Sequence, residues 1–227
     1  MSSVKENYIK VMEQIVKAAQ KAGRNPEEIN LVAVSKTVES ARIKEAIEAG
    51  VSILGENYVQ EAQKKIEEIG RIVSWHFIGH LQSNKAKYAV SLFDMIHSLD
   101  SISLAEELNR RAEKEGRTMN AMIEVNLSGE ATKFGAEEAR VFDIARRVLN
   151  LSHLSLVGLM TMPPYFDDPR LSRPYYIRLR ELKEKMIKEG IQLRELSMGM
   201  SNDFEIAIEE GATFVRVGTA IFGERKK

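Results

Sequence analysis

The sequence predicts an α/β fold, a single (β/α)8 TIM barrel with an extra N-terminal helix, and three observations carry that expectation. Eight short apolar runs succeed one another with room for a helix between most of them, as parallel strands require. The segments between carry apolar residues at helical spacing, with capping signals ahead and glycines behind. No linker interrupts the series, and 227 residues with 44% hydrophobic content can bury one large core, so residues 1–227 are expected to form one domain. A doubly wound open sheet shares the alternation, and the count of eight strands favours the closed barrel.

The first helix is expected from about Ser3 to Ala22, where Val4, Tyr8, Val11, Ile15 and Ala18 form one stripe and Gly23 stops it. The apolar runs follow at 29–36, 52–57, 75–79, 95–99, 121–127, 156–162, 195–200 and 214–218. Ser103 with Glu106 reads as a capping box ahead of a helix carrying Leu104, Leu108 and Ala112, which Gly116 ends. The prolines of PPYFDDPRLSRP, 163–174, demand an irregular loop after the sixth strand. Pro174 suits the first turn of a helix carrying Tyr176, Leu179, Leu182 and Met186, closed by Gly190. Asn202 with Glu205 repeats the capping device before Ile206 and Ile208.

Thirty-three basic residues balance thirty-three acidic ones, so no net positive field favours nucleic acid, and the basic end Arg225 to Lys227 reads as a solvated tail. The absence of cysteine removes disulfides, thiolate metal sites and cysteine nucleophiles. The charged, amphipathic first segment is unlike a signal peptide and no run approaches membrane-spanning length, so a cytoplasmic protein is expected, without a membrane partner. In that compartment Asn126-Leu-Ser and Asn150-Leu-Ser match a glycosylation pattern by chance.

In a barrel, ligands meet the C-terminal ends of the strands. The polar residues closing the runs are Lys36, Asn57, His80, Asp100, Asn126, Thr161 and Ser201, followed by the segment after Arg216. Strand alternation gives Lys36 the facing of Val32 and Val34, and gives Arg216 the facing of Phe214 and Gly218. Gly218 and Thr219 offer N–H groups and a hydroxyl at the start of a short helical turn, and Ser201 adds a second hydroxyl, which together suit a phosphate. Barrel closure sets the eighth strand beside the first. A lysine near a cationic arginine over a phosphate cradle suits an imine to a phosphorylated aldehyde, because desolvation and like charge favour the neutral amine. Pyridoxal 5'-phosphate is the leading candidate. The bland alternatives are an N-cap for Ser201 and a buried ion pair between Arg216 and an acid such as Glu56.

The motifs AVSKT, GENYVQE, WHFIGHLQSNK, SMGMSND and VRVGTAIFG, spread over residues 30–224, together resemble the pyridoxal phosphate homeostasis protein family. The resemblance implies the barrel of the alanine racemase fold type, Lys36 as the imine lysine, Arg216 facing the pyridine nitrogen, and Ser201, Gly218 and Thr219 around the phosphate. Asn57 follows as a pocket residue. It also implies intracellular cofactor homeostasis, holding pyridoxal phosphate and delivering it to apo-enzymes, by a monomer without strong catalytic activity and without an assigned catalytic residue. A pyridoxal phosphate-dependent amino acid racemase is the alternative, and an aldolase-like imine enzyme without a cofactor is a third.

Other motifs carry less. On a strand His76 and His80 stand roughly 13 Å apart and cannot share an ion, so no metal site is expected. GHLQSNK lacks the second glycine of a P-loop, and GMSND lacks the closing glycine of a nucleophile elbow. Methionines 160, 162, 198 and 200 read as core and pocket lining. Lys133 in TKFG is a loop residue with room for a role at the barrel mouth.

Overall fold

The structure, a computed structural model, describes residues 3–130 and 133–224. The basic stretch Arg225 to Lys227 lies outside the described residues. In chain order the elements are α1 (Val4–Lys21), β1 (Asn30–Val34), α2 (Ser40–Glu48), β2 (Ile53–Glu56), α3 (Val59–Ile69), β3 (Ser74–Phe77), α4 (Ala86–Leu92), β4 (Met95–Leu99) and α5 (Ile102–Lys114). They continue with β5 (Met119–Asn126), β6 (Ala136–Glu137), α6 (Val141–Val148), β7 (Leu154–Met160), α7 (Arg173–Lys188), β8 (Glu195–Met200), α8 (Phe204–Glu209), β9 (Phe214–Val217) and α9 (Thr219–Phe222).

All pairings are parallel, in the order β4-β3-β2-β1-β9-β8-β7-β5, and β4 pairs with β5 to close the barrel. The predicted closed barrel of eight strands is therefore the observed one. The two-residue β6 is additional: Ala136 pairs with Val125 at the upper end of β5. Closure places Val32 of β1 opposite Arg216 of β9.

Strand alternation sorts the side chains into two cores. Trp75, Phe77, Ile96 and Leu99 face outward into the layer shared with the helices. Val32, Ile78, Met122, Val157, Met160 and Phe214 fill the barrel interior. Helix α1 begins with a capping box between Ser3 and Glu6 and buries Val4, Val11, Ile15 and Ala18, four of the five stripe residues. Full burial of Val11 or Ile15 contributes about 1.5 to 3 kcal/mol each. The helix lies over α8 and α9, where Asn7 donates to Ile221 O and Lys21 pairs with Glu209.

Two capping assignments differ from expectation. Ser101, not Ser103, caps α5: it stays extended and its Oγ accepts the Leu104 N–H, whereas Ser103 sits inside the first turn. Asn202 does not cap α8. Its amide donates instead to Phe166 O at 3.1 Å, and Asp203, the residue before the helix, turns back to accept the Met200 N–H at 2.7 Å. Both misplacements arise because a capping motif is satisfied by any small polar residue near a helix start, and tertiary partners choose among them. Pro174 does stand in the first turn of α7.

Candidate functional site

β1 ends at Val34 and the chain leaves the sheet in a turn that carries Lys36. Ser35 donates its N–H to Gly55 O and accepts the Val38 N–H, both at 3.0 Å. Thr37 has φ of 62°, a left-handed conformation that strains a β-branched residue. The turn is held by Lys65 of α3. Its buried ammonium donates to Ser35 O at 2.6 Å, to Glu56 at 2.8 Å and to Glu61 at 2.6 Å. Glu61 in turn accepts the Thr37 N–H, and Ser35 Oγ donates to Glu56 at 2.6 Å. Both neighbours of Lys36 are thereby tied to one ion cluster. Burial pushes the Glu56 carboxyl above its ordinary range, against the lowering effect of Lys65 and Ser35.

Lys36 lines a cavity of about 640 Å³ at the C-terminal mouth of the barrel, together with Asn57, Ser201, Arg216, Gly218 and Thr219. The structure thus brings all six sequence-selected residues to one place. Their origins are separate: Lys36 follows β1, Asn57 follows β2, Ser201 follows β8, and the others belong to β9 and the start of α9.

Arg216 is buried and points into the barrel, donating to Ser197 Oγ at 2.6 Å and to Thr161 O at 2.9 Å. The suggested ion pair with Glu56 does not form. Glu56 shares its facing with Leu54 in the outer layer and pairs with Lys65, so the β2 strand separates it from Arg216's side of the sheet. Burial lowers the Arg216 pKa, opposed by Tyr176, Glu124 and Asp203, and a guanidinium starts high enough to stay charged. Glu124, which the strand-end reading missed, is pushed by burial to about 7; Arg216 opposes this and Asp100 adds to it.

The exit of β9 is built tightly. A Cβ on Gly218 would stand 3.3 Å from Val34, so glycine lets the β9 exit close against the end of β1. Ser201 Oγ accepts the Gly218 N–H at 3.2 Å, which leaves the Ser201 hydrogen for another acceptor. Asn57 Oδ1 is buried without a hydrogen-bond partner, an orphaned acceptor on a residue of the cavity lining. Gly79 makes room for the Asn57 backbone: a Cβ there would lie 2.5 Å from Asn57 O.

The proline-rich loop has a place that its sequence did not disclose. Pro164, Tyr165 and Phe166 form part of the cavity lining, and Phe166 is fixed by the Asn202 hydrogen bond and by stacking on Tyr175. Met162 and Met200 line the same cavity, while Met160 and Met198 are core. A neighbouring cavity of about 540 Å³ shares Asn57, Ile78 and Met162, and includes His80, Lys85, Glu124 and Phe134. His80 stacks on Phe134 and lies 3.5 Å from Asp100, whereas His76 is inside the barrel against His97. No cluster of three or more metal-ligating side chains occurs among the described residues. Lys133 pairs with Glu130 at 3.4 Å and is not among the described residues lining either cavity. No described helix is long and apolar enough to cross a membrane.

Comparison with known proteins bears on the fold and the family. The family model described as alanine racemase, N-terminal domain, matches residues 7–226. The pyridoxal phosphate homeostasis protein of Aquifex aeolicus is 46% identical over 223 residues, 97% of this chain and 98% of the relative. The Escherichia coli K12 protein of the same name is 41% identical, covering 99% of this chain and 98% of its own length. Among solved structures, PipY of Synechococcus elongatus with PLP bound superposes with a TM-score of 0.82 at 37% identity, covering 92% of this chain and all of that one. With a barrel, a mouth cavity and relatives matched over nearly their full length, the chain belongs to the pyridoxal phosphate homeostasis protein family.

Proposed function

We propose that this chain binds pyridoxal 5'-phosphate at the barrel mouth on Lys36, and acts in cofactor homeostasis as a monomeric, single-domain cytoplasmic protein that holds the group and delivers it to apo-enzymes. The observation that carries the reading is the convergence of an amine, a buried cation, two hydroxyls and an orphaned amide oxygen on one cavity. The related PipY structure with PLP bound supports it. When bound, the group would supply an aldehyde for condensation with a primary amine, and Lys36 is the residue that would hold it there. Ser201 and Thr219 would donate their hydroxyls to the phosphate beside the backbone of Gly218, Asn57 would contribute to the pocket wall, and Arg216 would face the pyridine nitrogen.

Replacing Thr219 with alanine should weaken retention of pyridoxal phosphate by about 1.5 to 3 kcal/mol, the weight of one hydrogen bond to a charged group. Binding of unphosphorylated pyridoxal should hardly change. Equal losses for both ligands, measured by equilibrium dialysis, would refute the phosphate placement.

Holding rather than turnover follows from Arg216. A guanidinium does not surrender its proton to a pyridine, so a ring held against Arg216 would be a weak electron sink. Lys36 also stands as the sole assigned base, and two-base racemisation needs a partner on the opposite face. One observation favours the racemase reading: Tyr165, on the loop, lines the Lys36 cavity. Incubation with a panel of L- and D-amino acids, following α-proton exchange and chirality, separates the two. We expect no rate near 1 s⁻¹, the low end of ordinary enzymes; such a rate, lost on Lys36→Ala and reduced on Tyr165→Phe, would establish the racemase.

A further inference from the structure

The barrel interior contains a row of polar side chains that the cofactor pocket does not account for. From Arg216, Nη1 donates to Ser197 Oγ at 2.6 Å, and Ser197 Oγ meets His97 Nδ1 at 2.9 Å. His97 Nε2 meets His76 Nδ1 at 3.0 Å, and His76 Nε2 meets Ser74 Oγ at 3.1 Å. Ser74 Oγ then donates to Asp94 Oδ2 at 3.2 Å. Asp94 stands just before β4 at the opposite, N-terminal end of the barrel, where it also accepts the Trp75 N–H and an Arg71 N–H. Arg216, Ser197, His97 and His76 are all buried, and Phe214 packs against both imidazoles.

The carboxylate end fixes the direction of every bond. Asp94 only accepts, so Ser74 donates to it and, its hydrogen spent, accepts from His76 Nε2–H. A neutral His76 then has a bare Nδ1 that accepts from His97 Nε2–H, and the bare Nδ1 of a neutral His97 accepts the Ser197 hydroxyl hydrogen. Arg216 fits this direction, because a guanidinium only donates and Ser197 Oγ keeps a lone pair to accept from it. Burial keeps both rings neutral, with His76 held down to about 4 and His97 well below its ordinary value.

We propose that His97 and His76 are positioning residues for Arg216, forming through Ser197 a one-directional row of hydrogen bonds to Asp94 that holds the buried guanidinium in place and aimed at the mouth cavity. Arg216 forms no ion pair among the described residues, and its two direct acceptors are neutral oxygens. The row supplies aligned dipoles with their negative ends toward the cation, closed by a carboxylate across the barrel. The influence on a ligand rests on the proposed contact between Arg216 and the pyridine ring. The row itself does not.

The test uses the full chain labelled with ¹⁵N-histidine and free of added cofactor, so that it is independent of cofactor binding. His76 and His97 should both appear as neutral Nε2–H tautomers between about pH 6 and 8. His153, whose Nδ1 lies 3.1 Å from Arg117 O, must donate from Nδ1 and serves as the opposite-tautomer control. An Nδ1–H tautomer or a titration near the ordinary histidine value, at His76 or His97, would overturn the row. Its effect on the pocket is read with two variants. His97→Leu should raise the Kd for pyridoxal phosphate about tenfold, within the range for loss of one hydrogen bond supporting a charged group. His97→Gln, whose carboxamide can accept from Ser197 and donate to His76, should restore most of that loss. Equal affinity for Leu, Gln and the parent protein would remove the positioning role. The histidine spectra decide the existence of the row even where His97→Leu does not fold.

Discussion

Lys36→Ala should lose the visible absorbance band of the pyridoxal phosphate-loaded protein completely while still binding the cofactor more weakly. The band requires the carbon–nitrogen double bond that only an amine at the right place can make. The residues assigned to the phosphate stay, each hydrogen bond to a charged group being worth about 1.5 to 3 kcal/mol. Lys36 is well placed for this because its neighbours are fixed: Ser35 O is held by Lys65, and the Thr37 N–H by Glu61. Absorbance and dialysis on the same samples check both halves. A retained band would mean that another amine carries the cofactor.

The second large effect is on stability. Lys65→Met removes the cation that neutralises Glu56, whose side chain is fully buried, and Glu61 beside it. Breaking a buried pair by deleting one partner costs about 3 to 5 kcal/mol, because the remaining charge is stranded. Glu56 also sets the pH dependence. Its folded-state pKa is raised mainly by burial, so the native state binds its proton more tightly than the unfolded chain does. Its favourable contribution is therefore present at low pH and is lost as pH rises from the unfolded value through the folded one. Loss of Lys65 raises that folded value further. The variant should be most destabilised above neutrality and recover partly toward pH 5, and adding Glu56→Gln should flatten the dependence. Urea melts across that range measure it; a destabilisation independent of pH would show that Lys65 acts through packing alone.

The sequence made the strands and the mouth readable for related reasons. In parallel strands buried on both faces, apolar runs end where the chain reaches water, so the polar residues closing those runs mark one end of the barrel. Parity then placed Val32, Val34 and Arg216 on the inner side of the sheet. Other features depend on contacts that spacing does not encode. Lys65 looks like an ordinary helical lysine until β2 and the β1 turn converge on it. His97 and Ser197 lie within apolar runs on different strands, 100 residues apart, and only closure joins them. The loop at 163–174 declared its irregularity through four prolines but not the cavity toward which Pro164, Tyr165 and Phe166 fold. Ser101 outcompetes Ser103 as a cap because of where β4 releases the chain.

Borohydride reduction of the protein with pyridoxal phosphate, followed by peptide mapping, identifies the amine that holds the cofactor. Reduction converts the carbon–nitrogen double bond to a stable secondary amine, leaving the cofactor mass on whichever residue held it. That mass is expected on the peptide containing Lys36, in near-stoichiometric yield. The mass on Lys85, which lines the neighbouring cavity, or on Lys133, which pairs with Glu130, with Lys36 unmodified, would contradict it.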